Sequence, residues 1–338
     1  MIVRLILAVV AVAATAVWPR ARLSAVAVLA VGGVSALFAG GHVAWDAVRA
    51  TAPVLVFLTV ALCGAALAER AGLSRWAAGT LARLGGGSTR RLYALVCLTS
   101  ALLTCVVSLD GAVVLMVPVV RAVVRRCGVS FVPFFLGAVA VANAASLAVP
   151  LGNPTNLVVM STLGLSPESF LEHLFLPGLC AAVLCALVPA RRLGRSRYEE
   201  RAAAVEPAGA PLLVPWRIGA QLTGLVAALD GLAPSLTLRG GGLVVLLAVA
   251  GGAAAASAIA NNLPVSASVA ALSTAGPGAY AALIGLTVGA LATPHGSVAT
   301  LIARDLAGEP AERRWARVWV PAAAAAVALA TLLLWASF

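Results

Sequence analysis

The sequence contains no lysine: all 23 basic residues are arginine, set against 12 acidic residues and three histidines. Charged side chains occupy only 10% of the 338 positions and aromatics 5%, while 62% are hydrophobic. So little polarity excludes a water-soluble domain, whose exterior needs many more polar side chains than these. Nucleic acid is excluded as a partner on different grounds. The formal net charge of +11 sits in short arginine clusters between apolar runs, not on a continuous basic face. Cysteine is sparse as well. The six, at positions 63, 97, 105, 127, 180 and 185, lie in or beside apolar stretches without metal-type spacing and read as small buried hydrophobes.

Apolar length is what the chain has in abundance. A hydrocarbon core of about 30 Å takes about 20 apolar residues per helix. Runs of that kind recur from end to end, among them Ile2–Trp18, Leu23–Phe38, Thr51–Ala68, Leu174–Ala190 and Val318–Phe338. They predict an all-α polytopic membrane protein with about eight full crossings. The alanine-rich stretch Ala11–Ala16 imitates a signal-cleavage site, but the N-terminal run is read as a retained span.

Arginine placement predicts the topology, because short cytoplasmic loops are enriched in positive charge. Twenty of the 23 arginines fall in Pro19–Arg22, Glu69–Arg91, Arg121–Gly128, Arg191–Glu206 with Arg217, and Arg304–Arg317. Placing all five on the cytoplasmic side leaves both ends of the apolar stretch 92–120 on one face. That stretch is therefore predicted to be a re-entrant hairpin with its turn near Ser108-Leu109-Asp110-Gly111. A second long run, 240–272, is interrupted by Asn261-Asn262-Leu263-Pro264 and flanked by a single arginine, so it is predicted to enter from the opposite face. Each hairpin precedes a span that also breaks: 131–160 at Pro150-Leu151-Gly152-Asn153-Pro154-Thr155-Asn156, and 280–303 at Thr293-Pro294-His295-Gly296-Ser297. Asn153-Pro154 and Thr293-Pro294 both read as an N-cap followed by proline at the first helical position, each opening a new half-helix.

The resulting organisation is an N-terminal scaffold (1–50), a first repeat (51–190), a cytoplasmic linker (191–210) and an inverted second repeat (211–338). Matching broken spans in two halves are the usual pointer to a transporter binding site. The candidate substrate or ion site comprises Ser108, Asp110, Gly152, Asn153, Thr155, Asn156, Asn261, Asn262, Thr293, His295, Gly296 and Ser297. Half-helix N-termini favour an oxyanion or a polar neutral solute. Asn153, Asn156, Asn262 and Thr293 supply oxygens suited to sodium. Asp110, the one acid in the middle of a long apolar run, is suited to carrying a proton; the bland alternative is a buried helix-cap carboxylate. His295 reads equally as a proton relay or substrate ligand and as a structural hydrogen-bonder; Ser146 and Asn143, upstream of the first break, either line the site or pack between helices, packing being the better reading for Asn143. No cofactor is expected beyond coupling to H⁺ or Na⁺. A remote alternative, an intramembrane serine hydrolase using Ser297 with His295, lacks a Gly-x-Ser-x-Gly elbow, and the chain is read as no enzyme.

Four segments carry a family resemblance. Ser108-Leu109-Asp110-Gly111-Ala112 with Pro118, Gly152-Asn153-Pro154-Thr155-Asn156, Asn261-Asn262-Leu263-Pro264 and Thr293–Leu301 are similar to the arsenite permease (arsenical pump membrane protein) branch of the ion transporter superfamily. NhaD-type sodium/proton antiporters and divalent anion/sodium symporters for dicarboxylates, citrate or sulfate belong to the same superfamily. The resemblance implies an elevator-like secondary transporter in the cytoplasmic membrane, with hairpin tips and helix breaks forming the site. Its arsenite branch implies efflux of arsenite or antimonite by proton exchange or with a separate ATPase subunit, and the superfamily implies a homodimer. Two departures are visible: Leu109 stands where the family's first tip usually has Asn, and His295 where the arsenite branch has an aliphatic residue. With the arginine rule, both termini are expected outside the cytoplasm.

Overall fold

A computed structural model describes residues 2–17, 22–194, 197–200, 216–230, 241–272, 275–308 and 315–338. Among them are fifteen α-helices and no β-strand. Six helices are long and apolar enough to cross a membrane, and three shorter apolar helices accompany them. The chain is a multi-pass membrane protein. Its outer surface carries side chains such as Leu23, Leu37, Val56, Val106 and Val244, which a soluble protein would bury and a bilayer solvates.

Four helices form a scaffold: α1 (Ile2–Val17), α2 (Arg22–Ala39), α3 (His42–Arg70) and α10 (Trp216–Leu229). Helices α2 and α10 cross at Gly32 and Gly224, where a Cβ on Gly32 would lie 2.3 Å from the Gly224 carbonyl. Such backbone contact is how small residues hold membrane helices together without a hydrophobic driving force. Thr51 and Thr223 share a hydrogen bond of 2.8 Å, and Arg4 donates to the Asp230 carbonyl. The scaffold has apolar clusters of its own, around Val28 with Leu225 and around Ala36 with Ala227. The main core lies elsewhere, among the hairpins, the broken spans and the helices that follow them.

Both hairpins turn on one residue. Helix α5 (Thr89–Val107) passes directly into α6 (Leu109–Cys127) at Ser108, with φ 84° and ψ 166°. Helix α11 (Leu243–Ala260) passes into α12 (Asn262–Leu272) at Asn261, with φ 75° and ψ 142°. Among the described residues these two are the only non-glycines with positive φ. The bonds around them match: the Ser108 amide reaches Thr104 O and the Ala112 amide reaches Ser108 O, as Asn261 reaches Ser257 O and Val265 reaches Asn261 O. The first hairpin thus extends to 89–127, beyond the expected 92–120. Position 240, the expected start of the second, lies outside the described residues.

The broken spans also match, in a register the sequence reading missed. Helix α7 (Phe131–Ala145) gives way to two short 3-10 turns and restarts as α8 (Pro154–Leu163). Helix α13 (Pro277–Val288) gives way to one 3-10 turn and restarts as α14 (Val298–Ala307). Val149 and Thr293 are both extended, and each carbonyl accepts the amide three residues on, from Gly152 and Gly296. A Cβ on Gly152 would lie 2.4 Å from Ser146 O, and one on Gly296 2.3 Å from Ala290 O, each six residues back. Pro150 therefore corresponds to Pro294, Gly152 to Gly296, and Asn153 to Ser297. This corrects the expectation for Thr293-Pro294. Thr293 caps nothing; Ser297 is the N-cap of α14, four residues later. Asn153 does cap α8 as expected, its side chain accepting from the Thr155 amide at 3.0 Å with Pro154 at the first helical position. The sequence reading matched Asn-Pro to Thr-Pro, whereas the repeated unit is Pro-x-Gly-[Asn/Ser].

Helices α9 (Pro167–Ala190) and α15 (Trp315–Trp335) close the two halves and pack on each other. The expected arginine-rich loop Glu69–Arg91 contains a helix, α4 (Leu73–Gly85), laid against α6. Residues 197–200 of the linker strap the base of the first hairpin: the Tyr198 hydroxyl donates to Ala82 O at 2.6 Å, and Arg126 grips Glu200 through Nε and Nη2. Linker residues 195–196 and 201–210, residues 18–21 with Arg20, and Arg239 lie outside the described residues.

Candidate functional site

Cross-packing between the halves decides where the breaks meet. Helix α6 of the first hairpin lies against α14, and α12 of the second hairpin lies against α8. Arg121 of α6 donates to Ala307 O at the end of α14 at 2.8 Å. Eleven residues back along each chain are Asp110 and Gly296. At about 1.5 Å per residue, the first tip and the second break stand at about the same depth. The apolar side chains agree: Val114 clusters with Val298 and Ile302, and Leu263 from the second tip packs against the same cluster. Four helix N-termini (those of α6, α8, α12 and α14) are thereby gathered, each with the positive end of its dipole inward.

The four ends differ in what they have left to offer. At α8 the amides of Thr155, Asn156 and Leu157 all go to Asn153, and Pro154 has none. At α12 the Asn262 amide donates to Gly296 O at 2.8 Å, the Leu263 amide to Asn261 Oδ1, the Val265 amide to Asn261 O, and Pro264 has none. At α6 and α14 the N-cap serines make no side-chain cap. The first amides, of 109–111 and 298–300, have no acceptor among the described residues. Backbone donors therefore remain between α6 and α14, where Ser108 Oγ and Ser297 Oγ are buried without partners. Asp110, 3% exposed in the first turn of α6, has no hydrogen bond or ion pair among the described residues and provides the acceptor there.

The second break is tied to the second tip. Asn261 Nδ2 donates to His295 O at 2.8 Å, and Thr293 Oγ1 donates to Ala258 O at 2.6 Å. His295 itself is buried, and its Nε2 has no partner. In the first break Asn156 Nδ2 bridges Ser146 O at 2.8 Å and Val149 O at 3.1 Å, leaving Oδ1 buried and unpaired, like Thr155 Oγ1 and Asn153 Nδ2. Asn143 donates to Val139 O and, at 3.4 Å, to Thr300 Oγ1; Ser146 donates to Asn143 O. No hydrogen bond joins the Ser108–Asp110 tip to either break among the described residues, so packing alone holds it there.

Two residues at the site escaped the sequence reading. Thr300 stands in the second half where Asn156 stands in the first, and only the corrected register reveals it. Arg304 was counted with the cytoplasmic loop 304–317. It lies in α14, 4% exposed, with Nη1 donating to Pro294 O at 3.2 Å. The helical spacing Ser297, Thr300, Arg304 was the available signal.

A family model described as "Citrate transporter" matches residues 1–289, which include both hairpins and the first break. The chain belongs to the citrate transporter family. Among its relatives, the arsenical pump membrane protein of Escherichia coli is 29% identical over 150 residues, 43% of this chain and 34% of that protein. A 46 kDa membrane protein of Mycobacterium leprae is 30% identical over 131 residues, 38% of this chain and 30% of that protein. The matched stretches span about a third of the length of these relatives. The membership and relatives bear out the ion-transporter resemblance. They also remove the serine hydrolase reading of Ser297 and His295, since this is a transporter family and not an enzyme family.

Proposed function

We propose that this member of the citrate transporter family is a secondary active transporter in the cytoplasmic membrane that exports arsenite or antimonite in exchange for protons. The observation that carries this reading is the pairing of the uncapped N-termini of α6 and α14 with Asp110. Around one point stand backbone N–H donors, two serine hydroxyls and a single carboxylate. Arsenite at neutral pH is chiefly a small neutral hydroxy acid. Its oxygens accept from the amides while its hydroxyls donate to a carboxylate. A proton on Asp110 neutralises it and turns one of its oxygens into a donor, so solute and proton compete for one group, which is the logic of exchange. The atoms concerned are enclosed by protein, which suits a three-oxygen solute better than a tricarboxylate.

Alternating access is assigned to an elevator-type slide. The scaffold helices α1, α2 and α10 carry two apolar clusters of their own, and they meet the rest of the molecule through a small cluster around Ile218, Leu222, Val114 and Val298, the surface along which the slide would run. The two hairpins are taken to enter from opposite faces, with both termini outside the cytoplasm and two copies forming a dimer. An ATPase subunit is a further partner in the arsenite reading. A second reading is sodium-coupled carboxylate symport. It is favoured by the unpaired acceptors Asn143 Oδ1, Asn156 Oδ1 and Thr155 Oγ1 of the first broken span.

Flux into everted vesicles, measured for arsenite, antimonite, citrate and succinate under proton or sodium gradients, tests these readings. Arsenite accumulation driven by an acidic interior supports export by proton exchange. Citrate or succinate movement with sodium, and none of arsenite, overturns it.

A further inference from the structure

We propose that Arg304 is a positioning residue that, with the second hairpin, leaves the second break without an open backbone carbonyl, and thereby sets which solutes and ions the site accepts. The inference deepens the transport reading above and rests on it for the identity of the site. Three consecutive carbonyls run through that break, and all are occupied. Pro294 O accepts from Arg304, His295 O from Asn261 and Gly296 O from the Asn262 amide. Asn261 and Asn262 belong to the second hairpin. Arg304 is the one partner supplied by the half-helix that the break itself launches. With all three carbonyls engaged, no backbone acceptor of the break is left open; what remains is the donor amides of residues 298–300, the Ser297 hydroxyl and His295 Nε2. An unheld carbonyl there would be a cation ligand of the kind that binds sodium in unwound transporter helices.

The ordinary explanation for an arginine in the last turn of a helix is compensation of the C-terminal dipole. Here that role is filled from the other half of the molecule, because Arg121 donates to Ala307 O at 2.8 Å. Arg304 points instead along α14 toward its start, as helical side chains do, to a carbonyl ten residues earlier. It is 4% exposed, in a setting where a buried cation is costly and is retained for function. Its neighbour Asp305 pairs with Arg217 of α10 at 3.2 Å, so the adjacent acid faces the scaffold.

The test compares full-length wild type, Arg304→Met and Arg304→Lys in proteoliposomes and in nanodiscs. Flux is measured for arsenite and citrate, with and without sodium, alongside backbone hydrogen exchange of peptides covering 289–300. We expect Arg304→Met to raise KM for the transported solute roughly ten- to hundredfold, the usual weight of one charge-assisted hydrogen bond. Its maximal rate should stay within about threefold, and a sodium dependence absent from wild type should appear. Exchange should accelerate in 289–300 and not in α7 or α15. Arg304→Lys, which can still donate to one carbonyl, should recover most of both effects. Unchanged KM together with unchanged exchange in Arg304→Met overturns the proposal. So does acceleration spread evenly over the protein, which marks a fold defect. If wild type moves citrate and not arsenite, the export reading falls while Arg304 is still judged on citrate. If neither solute moves, the exchange pattern alone decides.

Discussion

Asp110 is the residue on which coupling turns. It occupies the first turn of α6, where a carboxylate also stabilises the helix dipole, so a purely structural role and a proton-carrying role predict different outcomes. Asp110→Asn preserves shape. We expect it to abolish proton-driven accumulation of arsenite while leaving the thermal midpoint nearly unchanged; a loss of folded protein without loss of coupling supports the structural role. The two tip residues make a second pair of tests. Ser108 and Asn261 hold backbone angles that side chains resist at a cost of about 1–3 kcal/mol. Ser108→Gly removes strain and no hydrogen bond, so it should raise the thermal midpoint. Asn261→Gly removes similar strain but also the bond to His295 O and the acceptor of the Leu263 amide, and should be neutral or destabilising by about 1 kcal/mol. At Gly296, alanine has no room: its Cβ would meet Ala290 O at 2.3 Å, so Gly296→Ala should cost about 1–3 kcal/mol and most of the flux.

The two hairpins share their turn geometry but are not equally anchored. The second tip is tied to its break through Asn261, the Asn262 amide and Thr293; the first has no such bond among the described residues. Hydrogen exchange follows local opening free energy, and each buried bond adds about 1 kcal/mol to it. Amides of 105–112 should therefore exchange at least tenfold faster than those of 258–265, as peptide-resolved mass spectrometry will read. Equal rates at the two tips would contradict this asymmetry. The first hairpin's base, by contrast, is strapped by Tyr198 and Glu200, so mobility should be confined to its tip.

Across the whole molecule, the inverted arrangement predicts sidedness. In a cysteine-free background, single cysteines at positions 90 and 121 should label from the cytoplasmic face, and one at position 244 from the other. Labelling of 90 and 121 from opposite faces would dismantle the hairpin and the site with it.

Much of this was legible in the sequence because the bilayer is a demanding solvent. Unbroken apolar runs must be helices there, and interruptions such as Ser108–Gly111, Gly152–Asn156 and Asn261–Pro264 must mark backbone satisfied by protein. Charge placement, hairpins, broken spans and the capping role of Asn153 follow from local chemistry alone. Tertiary structure decided the rest. The register of the second break, with Ser297 and not Thr293 as the cap, depends on Gly296 fitting against Ala290 O. The burial of Arg304 depends on a carbonyl folded back beside it. Which amides stay unspent depends on α6 lying along α14. A sequence shows which groups a segment carries; only packing between distant segments settles which of those groups are already satisfied.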